Sequence, residues 1–241
     1  MSTNFNIHCL ALCMMAATLF VGCKKEEEAT PELEYSTVQD AQGNTYKTVK
    51  IGEDWWMAEN LRSTQFNDNT PLLFVSTADS NAFWAATSEP CFTALYGGGN
   101  GMLYNGYVLA SEKQIAPAGW HIATDADWKK LETSLGMSSS EANQTGWRGD
   151  GLAQEITSLY SVGWGEGVPL YGNNASGFNA RPTGCRISDG RTNIFGNAAF
   201  WWAAKPTADG FYYRYIDANF QAIFRQAENI HYGMAIRCVK D

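Results

Sequence analysis

Apolar residues are distributed along this chain in three regimes. Leu10 to Val21 is an almost unbroken apolar run, too short to cross a bilayer, which takes ~20 such residues. Residues 24 to 42 are charged and Pro-containing and read as a solvated tether. From Tyr46 onward, short patterned stretches alternate with glycine- and asparagine-rich sequence. Gly43-Asn44 gives a turn, and Tyr46 to Ile51 reads as a strand with Val49 and Ile51 on one face. Gly52-Glu53-Asp54 turns the chain, and Trp55 to Leu61 follows as a second extended piece. Residues 63 to 101 read as irregular, and Met102 to Val108 resumes order as helix or strand.

The clearest helix begins at Thr124, which can cap it. Asp127 is the capping-box acid, and Asp125 complements the helix dipole. Trp128, Leu131 and Leu135 then share a face, and Gly136 stops the helix. Residues 138 to 199 show no sustained period and predict long ordered loops. The C-terminal segment predicts a meander of about three antiparallel strands: Phe211 to Ile216, Phe220 to Phe224, and Tyr232 to Val239. In the last of these, Met234, Ile236 and Cys238 share a face.

The apolar run fits the core of a secretory signal. Phe20-Val21-Gly22-Cys23 follows it and resembles the lipobox of bacterial lipoproteins, in which the cysteine is acylated and becomes the new N-terminus. Lys24-Lys25-Glu26-Glu27-Glu28 resembles the lysine-then-acidic surface-export signal of Bacteroidetes lipoproteins. Residues 1–22 are therefore expected to be a signal peptide and 23–42 a tether lipidated at Cys23 and anchored in the outer membrane, facing outward. A single domain would occupy 43–241. That length supports one real core.

Charge and cysteine content narrow the class. A formal net charge of −8 argues against nucleic-acid binding, which needs basic clusters. Cys91, Cys185 and Cys238 are the cysteines left in the domain, an odd number for an oxidising compartment. One disulfide among them, worth ~2–4 kcal/mol, would leave one thiol over; the pairing is open. No Cys-x-x-Cys or His/Cys cluster suits a structural zinc, and no cofactor is expected.

Six motifs occur in order: Ile51 to Arg62, Gly101 to Asn105, Pro117 to Trp128, Ser176 to Ala180, Phe200-Trp201-Trp202, and Gly233 to Asp241. Together they resemble the Fibrobacter succinogenes major paralogous domain, over a match from about Gly43 to the last residue. That family is in turn similar to the C-type-lectin-like fold of the formylglycine-generating-enzyme type. The resemblance implies an α+β domain whose N- and C-terminal strands pair, with long loops between. Arg181 and Thr183 stand where the family tends to have Leu and Gly. Arg181 would need a carboxylate partner if buried.

Enzyme chemistry has little purchase on the sequence. Gly-x-Ser-x-Gly is absent. His121 reads as structural and His231 as solvated in a turn. Cys185 and Cys238 match the sulfatase-activating relatives by residue type but not by surroundings. Calcium-lectin motifs are also missing, because Glu89-Pro90 is followed by Cys91. A calcium-independent sugar site would use exposed aromatic faces flanked by amides. Trp164, Tyr171, Asn173 and Asn174 have that composition, although the favoured reading of the same aromatics is that they pin their loop to the core. Arg148-Gly149-Asp150 matches a tripeptide that some adhesins use. The expectation is a non-enzymatic surface lipoprotein with a lectin-like binding domain for a glycan or protein ligand. The alternatives are a formylglycine-generating-type oxidoreductase relative and a structural envelope component.

Overall fold

The computed structural model describes Met1 and residues 32–241, apart from 78–79, 95–98, 160–163 and 165–171. Leu33–Asp241 forms one compact unit. It is built mostly of antiparallel sheet, with five short helices among the described residues, of which only Asp125–Ser134 exceeds six residues. Cys23, the rest of the expected signal after Met1 and the start of the expected tether lie outside the described residues.

The first sheet has five antiparallel strands in the order Tyr35–Gln39, Thr45–Ile51, Asp54–Met57, Cys238–Lys240, Trp120–Ile122. Val239 pairs with Trp56, so the N- and C-terminal strands lie side by side. Tyr35–Gln39 was expected in the tether and is instead an edge strand, with Tyr35 opposite Val49 and Gln39 opposite Thr45. Its outer residues are largely exposed, which hid the strand from a search for apolar alternation. Asp40 fixes the hairpin that follows. Its carboxylate accepts from the backbone N–H of Gln42 (3.0 Å) and Asn44 (2.9 Å), from the Tyr46 hydroxyl (2.7 Å) and from Ser63.

The second sheet has six short strands in the order Thr192–Asn193, Cys185–Arg186, Gly233–Met234, Met102–Asn105, Cys91–Ala94, Leu73–Phe74. The segment from Met102 is both strand and helix, since Met102–Asn105 runs directly into the helix Gly106–Ala110. The third sheet has four antiparallel strands in the order Ala198–Thr207, Gly210–Asp217, Ile223–Glu228, Gly146–Arg148. Here the structure corrects the predicted meander. Its third strand is Ala198–Thr207, upstream of the other two. The closing segment leaves the meander and divides, Gly233–Met234 entering the second sheet and Cys238–Lys240 the first. Met234, Ile236 and Cys238 are all buried, as their spacing predicts.

The helix forms where its local signals place it. The Thr124 side chain accepts from the Asp127 N–H, and the Asp127 carboxylate accepts from the Thr124 N–H in return. Leu135 caps the far end, and Gly136 follows at φ +102°, a left-handed turn that costs glycine no Cβ clash.

Two apolar clusters flank the Ala198–Thr207 strand. Successive residues of a strand face opposite ways, so Trp201 joins one cluster and Trp202 the other, and neither is exposed. The first cluster centres on Trp56, Trp128, Phe178 and Trp201, whose neighbouring ring centroids lie 5.2–5.9 Å apart. Between this cluster and the third sheet runs a buried ionic network. Glu132 meets Arg148 at 2.9 Å and Arg214 at 2.5 Å, and Asp125 meets Arg214 at 2.9 Å and Arg225 at 2.8 Å.

Candidate functional site

The third sheet places an aromatic side chain at the same level on each of its four strands. Phe200 is opposite Tyr215, Tyr215 opposite Phe224, and Phe224 opposite Trp147. Directly opposed residues share a face, so the four rings form one row across the sheet. Phe200 and Tyr215 stack at 4.4 Å and 8°. Tyr215 meets Phe224 edge-on at 5.9 Å, and Phe224 meets Trp147 edge-on at 5.1 Å. Phe220, from the turn before the third strand, stacks on Trp147 at 4.4 Å and 22°.

The row runs from core to surface. Phe200 is 7% exposed, Trp147 37% and Phe220 47%. Buried at one end, the rings are held in fixed orientations where they emerge. The turn that carries Phe220 is fixed as well. Asp217 accepts from the Tyr215 hydroxyl (2.6 Å) and from both the backbone and side-chain N–H groups of Asn219 (2.8 Å each). Burial and this bond to Asp217 push the Tyr215 phenol well above its ordinary range, so it stays a neutral donor. The exposed end therefore presents two aromatic rings with an exposed amide, Asn219, next in sequence to one of them.

Of the loop expected to bind, Trp164, Asn173 and Asn174 are described. Trp164 is buried at 6% exposure and its indole N–H donates to Ser158 Oγ at 3.2 Å, so it pins its loop to the core. Asn173 Oδ1 accepts from the Ala175 N–H, and Asn174 Oδ1 accepts from the Asn179 N–H, both as turn-forming bonds. Tyr171 lies outside the described residues. Arg148 of the Arg-Gly-Asp tripeptide is buried against Glu132 and cannot reach a partner.

The three domain cysteines are buried free thiols, so the expected disulfide is not formed. Cys91 lies with Val75 and Trp84, apart from the cluster that holds Cys185 and Cys238, and those two stand on strands of different sheets. Burial pushes the thiols of Cys91 and Cys185 up to about 12, and that of Cys238 also upward. Nucleophilic chemistry needs the thiolate, which these sites disfavour.

His121 is bracketed by carboxylates, with Nδ1 2.7 Å from Asp241 and Nε2 3.0 Å from Asp127. Burial works against its protonation, but the two acids outweigh it and hold its pKa above the ordinary value. Among the described residues its ring nitrogens bond to these two carboxylates alone. His231 is half-buried rather than fully solvated, edge-on to Tyr107 at 5.4 Å. Among the described residues no group of three His, Cys, Asp or Glu side chains could hold a metal ion.

The family model for the Fibrobacter succinogenes major domain matches residues 49–240. The chain belongs to this family. The matched range takes in all four strands of the aromatic row and both strands that close the first sheet. The Fibrobacter succinogenes major domain here is preceded by the Tyr35–Gln39 strand, outside the matched range. No curated protein and no solved structure matches the chain.

Sequence reasoning missed Trp147, Phe220 and Phe224 as a group. Trp147 stands in glycine-rich sequence expected to be loop, whereas Phe220 and Phe224 bound one predicted strand. Their assembly depends on strand register, and that pairing is set by residues more than seventy positions apart.

Proposed function

We propose that this chain is a non-enzymatic, lipid-anchored outer-membrane protein, facing outward, whose lectin-like domain binds a neutral saccharide on the aromatic row. The observation that carries the reading is the row itself, rigid at Phe200 and exposed at Trp147 and Phe220. An exposed ring offers its face to the apolar C–H side of a pyranose, and the Asn219 amide supplies a polar group for ring hydroxyls. The pairing of N- and C-terminal strands agrees with what the C-type-lectin-like resemblance implies. The apolar run before Cys23 and the Lys-Glu sequence after it favour the anchor and its outward display. Buried, protonated Cys185 and Cys238 weigh against an oxidoreductase of the formylglycine-generating type.

A glycan array probed with the folded protein, followed by titration of the best neutral oligosaccharide, tests this. Phe220→Ala is expected to weaken binding about tenfold or more, as loss of an aromatic anchor does, with no loss of thermal stability beyond that of a surface change. An array without signal from folded protein would remove the saccharide reading.

A further inference from the structure

A second site lies away from the aromatic row, at the end of the extended segment that follows Trp56. Arg237 is 1% exposed and lies at a polar cavity of about 90 Å³. Its guanidinium donates to Asn60 Oδ1 (2.6 Å) and to the carbonyls of Met57 (2.7 Å), Phe178 (2.8 Å) and Asn179 (3.2 Å), and it sits 4.3 Å over the Phe178 ring. Every one of these partners is neutral. Arginine has five N–H donors, so the described residues account for four.

The cavity wall carries two more arginines. Arg62 is matched: it donates to the Thr45 carbonyl at 2.8 Å, lies 4.4 Å over Tyr46, and stands 3.8 Å from Glu59. Glu59 is the carboxylate at the cavity, and its other oxygen accepts from the Lys47 N–H. Arg181 is half-buried and has no ion pair among the described residues. Among the described residues one carboxylate thus faces three guanidinium groups, an excess of two positive charges in a partly desolvated site. The carbonyls that Arg237 ties together give that side chain a structural role. They give none to Arg181.

We infer that this cavity binds one small oxyanion, seated between Arg181 and Arg237. The volume holds at least roughly three waters, room enough for a carboxylate or a tetrahedral sulfate or phosphate group. Guanidinium groups match these anions geometrically and bind them by charge-assisted hydrogen bonds. The site is independent of saccharide binding on the aromatic row.

The test uses purified full-length protein in detergent at fixed ionic strength, titrated with sodium acetate, sulfate or phosphate against a sodium chloride control. Calorimetry and the Trp201 indole N–H resonance report occupancy, because that N–H donates to the same Asn60 oxygen as Arg237. Saturable binding of at least one oxyanion is expected. Acetate preferred over sulfate and phosphate would identify a carboxylate ligand, and the reverse preference a tetrahedral one. Arg181→Leu is expected to weaken binding at least about tenfold. Arg191→Leu, which removes an exposed arginine already paired with Asp189 at 2.7 Å, should leave it unchanged. No saturable binding by any of the three anions, equal affinity in Arg181→Leu, or equal losses in both variants would overturn the inference.

Discussion

Glu132 is wholly buried and shared between Arg148 and Arg214, neither of which reaches solvent. Removing its charge leaves Arg148 in the core without a carboxylate and Arg214 with Asp125 alone. Glu132→Gln keeps the shape of the side chain, yet is expected to cost about 3–5 kcal/mol, read as a lower urea midpoint. His121 makes a smaller, titratable contribution at the surface. Its folded pKa is raised, so the stability it adds is complete below its unfolded value of about 6.5 and is lost as pH rises through the folded value. Asp127 behaves in the opposite sense. Burial opposes its ionisation, but bonds from Thr124 and His121 lower its pKa, so its contribution is present at neutral pH and lost as acid protonates it. The difference in melting temperature between wild type and His121→Gln should therefore peak in mildly acidic solution and shrink toward alkaline pH. A difference independent of pH would mean that the His121 contacts are not ionic.

At the scale of the element, the helix Asp125–Ser134 shows what a local signal can determine. Its start, its capping box and its buried face were all legible, because a cap is settled by residues three apart. Thr124→Ala should destabilise the domain by ~1 kcal/mol, measured by denaturant unfolding, while Thr124→Ser should retain most of the cap. The sheets were less legible. Thr45–Ile51 shows its alternation, but Tyr35–Gln39 faces solvent and carries no such mark. In the closing segment the alternation shows which side chains face inward, and the strands they pair with lie in the first and second sheets rather than in the meander. Alternation encodes a face, whereas pairing is decided by what the rest of the chain offers. The same limit applied to the candidate site: Trp164 looked like a binding aromatic and is core, while Trp147 sat in sequence read as loop and is the exposed end of the row.

Across the molecule, stability is carried by packed aromatics and buried charge, with no covalent link among the three domain cysteines. This state has a direct signature. In native protein the thiols of Cys91, Cys185 and Cys238 should react only slowly with a disulfide reagent, being buried and protonated. After denaturation without reductant all three should react quickly. Only one reactive domain thiol would show that the other two had paired. The strand Cys238–Lys240 lies between Asp54–Met57 and Trp120–Ile122, inside the sheet rather than at its edge. Until it arrives, those two strands have no common neighbour, and Trp56 lacks its partner Val239. A nascent chain can therefore form its helix and first hairpin early, but cannot lock the sheet until synthesis has passed residue 238. Pairings so distant are slow to form. The consequence is a built-in delay, during which the polypeptide stays open to chaperones and proteases and, on the proposed export route, remains threadable through a translocation channel.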